Sequence, residues 1–278
     1  MSRARAFAGR WLAFGVVLAG GLVVVSVLVF AILTAFKAPG ETFGAGAGWL
    51  PKTFQWANVL APFKIAPFDK YFVNSAIVGI AVTILNVLTC TAAGYSFSKC
   101  RYPGRNVAFT IVLATLMVPL EILYVPLYKI VYDLGWVNSF AGLIVPAATS
   151  AFGIFLMKQA IDTVPDELLE AARIDGAGEL RTLVAIVAPV VVGPMSALAL
   201  LVFMTNWDSY FWPLLVASDE SHRTLPVGLA AMQSNNLADT GVPVILMAAI
   251  LAVIPTVLLF LSLQRRFVEG INMTAGIR

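Results

Sequence analysis

The chain has 278 residues, of which 60% are apolar and only 12% charged, and its mean hydropathy is +0.89. A soluble domain carries roughly twice that charge, so the composition excludes a water-soluble globular protein and predicts an all-α integral membrane protein. The net charge of +3 has no clustered basic face of the kind that binds nucleic acid.

Apolar runs able to cross about 30 Å of hydrocarbon lie near residues 11–35, 72–98, 106–131, 140–160, 183–205 and 243–264, which predicts six spans. The first is too long for the core of a cleaved signal and is expected to be a retained anchor. Residues 36–71 are rich in Gly, Pro and aromatics and form an external loop, where Trp49 and Trp56 are open to two readings, interface anchors or ligand contacts. Residues 1–71 are thus an anchor helix with its loop, and residues 72–278 a core of five helices.

In the second span Asn86 and Thr89 suit packing against protein better than a face turned to lipid. Cys90 and Cys100 match no metal spacing and read as packing residues. The third span carries Pro119 and Pro126, each lacking a backbone donor, so it should bend or break. Between these prolines sits Glu121, about 15 residues into its helix, hence roughly 22 Å along a straight helix at 1.5 Å per residue.

A polar island, Glu170-Ala171-Ala172-Arg173-Ile174-Asp175-Gly176, separates the fourth and fifth spans. Pro165 opens a helix, Asp166 and Glu167 place negative charge at its positive dipole end, and Leu168, Ala172 and Gly176 recur every fourth residue. The spacing predicts a short helix with one small-residue face. Two readings are open: a docking surface for a partner's backbone, or an ordinary amphipathic connector.

The fifth span ends in Asn206-Trp207-Asp208-Ser209-Tyr210-Phe211-Trp212-Pro213, either an interface belt or the rim of a path. Lys and Arg divide 12 to 6 between the two sides of a six-span topology, which predicts that both termini and the Glu170 loop are cytoplasmic. His222 is the only histidine, so histidine triads and two-histidine metal sites are excluded within the chain. No Gly-x-x-x-x-Gly-Lys phosphate loop occurs, so nucleotide hydrolysis would have to come from another polypeptide. The Asn272-Met273-Thr274 sequon falls on the expected cytoplasmic side and reads as accidental.

Glu170-Ala171-Ala172, three residues, Gly176, nine residues, Ile186 and then Pro189 resemble the EAA loop of ABC importer permeases, with Ala188 where a Leu is usual. Further strings resemble the inner permeases that import maltose and related sugars. These are Leu50–Asn58, Asn74-Ser75, Ala93-Gly94-Tyr95 with Tyr102-Pro103-Gly104-Arg105, Leu225–Leu229, Gln264–Gly270 and, loosely, Thr274–Arg278. In two places a residue departs from that pattern, Tyr102 for Phe and Asp208 for an amide.

The resemblance implies a six-span permease subunit of a type I ABC importer for a sugar or sugar derivative, with a permease for glycerol phosphate as the alternative. It implies ATPase coupling by Glu170, Ala171, Ala172, Asp175 and Gly176 in the loop near 163–183. The expected partners are a second homologous permease, two ATPase subunits that bind ATP and Mg, and an extracellular substrate-binding protein. No cofactor and no catalytic residue are expected in this chain. Glu121, Asn206, Trp207, Asp208 and Tyr210 are candidates for the translocation path. A self-contained secondary transporter would show two related halves, and an intramembrane enzyme a nucleophile or metal constellation; neither pattern is present in the sequence.

Overall fold

The computed structural model describes residues 2–42 and 48–275, with side chains for 10, 13–42, 48–234 and 241–262. Gly276–Arg278 at the end of the loose C-terminal match lie outside the described residues, as do the side chains of Gln264–Gly270 and the Asn272 sequon. The described chain is helical, without a strand. Residues Met1–Phe68 with Leu229–Val253 pack as one unit, and Asp69–Gly228 with Ile254–Arg278 as a second.

In the first unit α1 (Ser2–Ala35) is a 34-residue helix whose apolar stretch from Ala13 is unburied by this chain. Its last turn is held by Asn58, whose Nδ2 donates to the carbonyls of Ala35 and Lys37, both at 2.9 Å. Those are C-terminal carbonyls with no partner inside the helix, so a side-chain amide is what satisfies them. Phe36 packs against Phe54 and Trp56, and Phe30 against Trp49, while both tryptophans keep an exposed surface. After one turn at α2 (Ala61–Ile65) the chain enters the second unit.

There α3 (Phe68–Lys99) runs 32 residues without a break. Arg105 ends it by donating from Nη1 to the carbonyls of Cys100 at 2.9 Å and Ser98 at 3.3 Å. Gly104, at φ 80°, makes the turn into α4 (Arg105–Thr115). The third span breaks where Pro119 stands. Its ring excludes the carbonyl of Thr115, the last residue of α4, and α5 (Leu120–Asp133) leaves at 103°. Pro126 does not break α5, which absorbs the missing donor within one helix. The straight-helix height expected for Glu121 therefore does not hold, because Glu121 begins a new direction just beyond the bend.

The fourth span is α6 (Phe140–Ile144) with a 3-10 turn at Val145–Ala147, then α7 (Ala151–Asp162), bent by 43°. Its freed carbonyls are met from α3: Asn86 Nδ2 donates to Ala147 at 3.1 Å and the Thr89 hydroxyl to Ala148 at 2.8 Å. Irregular backbone at membrane depth requires such internal partners, which explains the polar residues of α3.

After α8 (Asp166–Ile174) come α9 (Glu179–Thr182), a π turn (Leu183–Val187) and α10 (Ala188–Val190). Pro189 supplies no donor to Ala185, and Pro194 excludes the carbonyl of Val190. The span turns by 84° at Val191 into α11 (Val192–Trp207). Chain count through that bend is not depth either, so it does not give the height of Asp208. α12 (Phe211–Val216) follows, and α13 (Leu225–Ala275) closes the chain with one non-helical residue, Gly241. Among the described residues three helices are long and apolar enough to cross a membrane, and counting each of the three bent pairs as one span brings the number to six.

Candidate coupling site and translocation path

α8 begins after Pro165, with Asp166 and Glu167 in its first turn and Arg173 in its last, each charge placed against the opposing dipole end. It ends in a full Schellman arrangement. The N–H of Gly176 donates to the carbonyl of Arg173 at 3.0 Å and that of Ala177 to Ala172 at 2.9 Å, with Gly176 at φ 75°. Gly176 is thus the left-handed residue that stops the helix, and the small face expected from Leu168, Ala172 and Gly176 does not form. Ala172, 4% exposed, and Leu169 face inward, Leu169 joining a core of Cys90, Met157, Ile161 and Leu198. The outward surface carries other residues: Ile174 is 87% exposed and Leu180 75%, with Glu170, Ala171 and Asp175 also exposed. Apolar side chains standing on a charged helix are what a partner surface would bury. The sequence periodicity missed them because Ile174 and Leu180 lie on either side of the helix stop.

Contacts far apart in sequence tie α8 to the end of α3. Lys99 Nζ reaches Asp166 Oδ1 at 2.7 Å and the carbonyl of Val164 at 2.6 Å. The lysine holds the Asp166 carboxyl below the usual carboxylate range through that hydrogen bond and its charge. Tyr95 Oη donates to Glu179 Oε2 at 2.5 Å, and Arg173 Nη2 donates to Glu179 Oε1 at 3.3 Å. Ser98 and Lys158 both donate to Asp162, each at 2.6 Å. Nothing in the local pattern of the sequence pointed to Tyr95, Lys99 or Glu179 as neighbours of α8.

At the other candidate site, Trp207 is 3% exposed and lies between Phe72 and Phe203, with centroids at 5.5 Å in each case, so it serves packing. Asn206 turns its amide back onto the Val202 carbonyl at 2.8 Å. Asp208 ends α11, where the helix dipole is negative, and it is exposed. Glu121 and Tyr210 are exposed. α5 meets α12 through Tyr124, stacked on Phe211 at 5.2 Å and Trp212 at 5.9 Å, and Trp212 Nε1 donates to Gly142 at 3.1 Å. The structure thus leaves Glu121, Asp208 and Tyr210 accessible and withdraws Trp207 into packing. A groove of about 500 Å³ lined by Ile80, Ile84, Phe203 and Leu258 is almost wholly apolar and offers a sugar few partners. Among the described residues no cluster of metal-ligating side chains occurs.

Up to six spans, three of them broken, with a short glycine-stopped helix between the fourth and fifth, are the features of a transport permease. The chain belongs to the family of binding-protein-dependent transport system inner membrane components, which matches residues 86–272. It is a multi-pass membrane component of such a transport system. Among its relatives is the sn-glycerol-3-phosphate transport system permease protein UgpE of Yersinia pestis, 33% identical over 258 residues that cover 91% of this chain and 92% of that one. The protein of the same name from Agrobacterium fabrum is 36% identical over 206 residues, covering 74% and 73%. In fold the chain is similar to a bacterial ABC transporter involved in the import of the acidic polysaccharide alginate. That match has a TM-score of 0.86 and 20% identity, and it covers 96% of this chain and 99% of that chain.

Proposed function

We propose that this chain is the non-catalytic permease subunit of an ATP-driven importer for a sugar or sugar derivative. Its α8 with the start of α9, through Glu170, Ala171, Asp175 and the exposed Ile174 and Leu180, docks on an ATPase subunit. Ala172 and Gly176 contribute by seating and ending that helix. The observation that carries the reading is α8 itself, a helix with fixed ends that is buried on one side and presents apolar side chains on the other. One docking helix engages one ATPase, so a second homologous permease and a second ATPase subunit complete the complex. ATP and Mg belong to the ATPase subunits. The family's dependence on a binding protein supports an extracellular solute-binding partner, and the 12 to 6 division of basic residues supports cytoplasmic termini.

Glycerol phosphate is the second reading, favoured by the relatives of that name at 33% and 36% identity. Glu121 and Asp208 weigh against it, since fixed negative charge near the path repels a phosphate. The experiment is uptake by proteoliposomes holding the complete complex, supplied with ATP and with its binding protein loaded in turn with neutral sugars, amino sugars or glycerol 3-phosphate. Uptake that needs ATP and a sugar-loaded binding protein is the expected result. Uptake driven by an ion gradient without the ATPase subunits would overturn the proposal.

A further inference from the structure

Within the unit Asp69–Gly228 the spans differ in continuity. Three are bent by 103°, 43° and 84°, whereas α3 runs unbroken for 32 residues, about 48 Å at 1.5 Å per residue. A bent span can absorb a displacement at its break; a continuous helix passes it on.

Both ends of α3 are fastened to other segments. At the C-terminal end it grips α8 from in front and from behind, through Lys99 to Val164 and Asp166 and through Tyr95 to Glu179, which also holds Arg173. The Tyr95 side chain is 4% exposed, and the Lys99 side chain is 9% exposed. The carboxylates that accept from them, Asp166 and Glu179, are 73% and 58% exposed, so the geometry is fixed from the α3 side, by buried donors and by the second bond of Lys99 to the Val164 carbonyl. One residue before Tyr95, a Cβ on Gly94 would stand 2.8 Å from the Lys158 backbone nitrogen, so α3 and α7 touch there backbone to backbone and cannot slide independently. At the N-terminal end Asn74 Nδ2 donates to the carbonyls of Ser221 at 2.9 Å and Arg223 at 3.0 Å, and Ser75 Oγ accepts from the N–H of Leu225 at 2.8 Å.

We propose that α3 is a strut that carries the displacement of α8 to the 221–225 segment, with Tyr95 and Lys99 as the positioning residues that lock α8 to it. The proposal rests on α8 being the ATPase-docking helix. Loss of either lock leaves α8 free to move with its partner while α3 stays behind, so hydrolysis and transport separate.

The test uses the complete complex in proteoliposomes, with Ile174→Cys as a cross-linking probe of docking onto the ATPase subunit. Three versions of it are compared: Tyr95→Phe, Lys99→Glu, and Lys99→Glu combined with Asp166→Lys. In the two single variants the cross-link is expected to form as in the starting complex, while solute moved per ATP falls about five-fold or more, a coupling change of ordinary size. The charge exchange is expected to recover at least about half of the original ratio, because it restores the pair with its sign reversed. An unchanged ratio with the cross-link intact overturns the strut and leaves docking standing. Loss of the cross-link in Tyr95→Phe also overturns it, since the hydroxyl then only seats α8. Failure of the starting complex to cross-link overturns docking, and the strut with it.

Discussion

Asn86 Nδ2 donates to the Ala147 carbonyl at 3.1 Å across 61 residues of sequence, and the Asn86 Oδ1 accepts from the hydroxyl of Ser150 at 3.3 Å. One amide on an unbroken helix therefore serves both sides of the break between α6 and α7. Asn86→Leu keeps the branched heavy-atom skeleton, with bulkier ends, and removes both roles. It should destabilise the subunit by about 1–2 kcal/mol, the upper range for polar contacts between membrane helices. Thermal unfolding of the detergent-solubilised complex reads the shift, and an unchanged midpoint would mean the break is held otherwise.

Gly176 sets a second expectation. A Cβ there meets nothing within 4 Å, so the obstacle to substitution is φ 75° and not crowding. Ala and Leu should each cost about 1–2 kcal/mol of local stability, and Asn, which tolerates the left-handed region, less. Coupled uptake should therefore fall alike in Gly176→Ala and Gly176→Leu and recover in Gly176→Asn. A loss confined to Leu would point instead to a docking surface that needs a small residue.

Gly94→Ala should be harmful for the opposite reason. Its Cβ would press on backbone atoms of α7, 2.8 Å from Lys158 nitrogen and 2.9 Å from the Met157 carbonyl carbon. Backbone cannot rotate away as a side chain can, so overpacking of about 1–3 kcal/mol is expected. Reduced yield of assembled complex, with normal membrane insertion, is the outcome to look for.

Asp166 should make stability depend on pH. Lys99 lowers Asp166, whose contribution is present above the ordinary carboxylate value and lost as pH falls through the lowered one. Unfolding midpoints against pH in the starting protein and in Asp166→Asn check the sign.

The path assignment has its own test. Glu121→Gln and Asp208→Asn keep size and remove charge, so a solute that meets these carboxylates should show altered uptake affinity or rate in at least one variant. Trp207→Phe should act through stability, because the ring lies between Phe72 and Phe203. Kinetics unchanged across pH in both acid variants would remove Glu121 and Asp208 from the path.

Composition and local pattern were enough to establish a membrane protein, six apolar runs, a helix starting at Pro165, a break at Pro119, and an island whose spacing marks its family. Each of these depends on one residue's covalent geometry or on hydropathy summed over a short window, which are properties of the chain before it folds. Other features exist only in the packed molecule. Pro126 sits in an intact helix, Gly176 ends α8 where a small face was expected, and Trp207 turns into the core. Lys99 finds Asp166 across 67 residues and Tyr95 finds Glu179 across 84. No periodicity encodes such pairs, because they form only once separate helices have packed and buried them. The bends of 103° and 84° likewise set which residues share a level, so counting along the chain could not place Glu121 or Asp208.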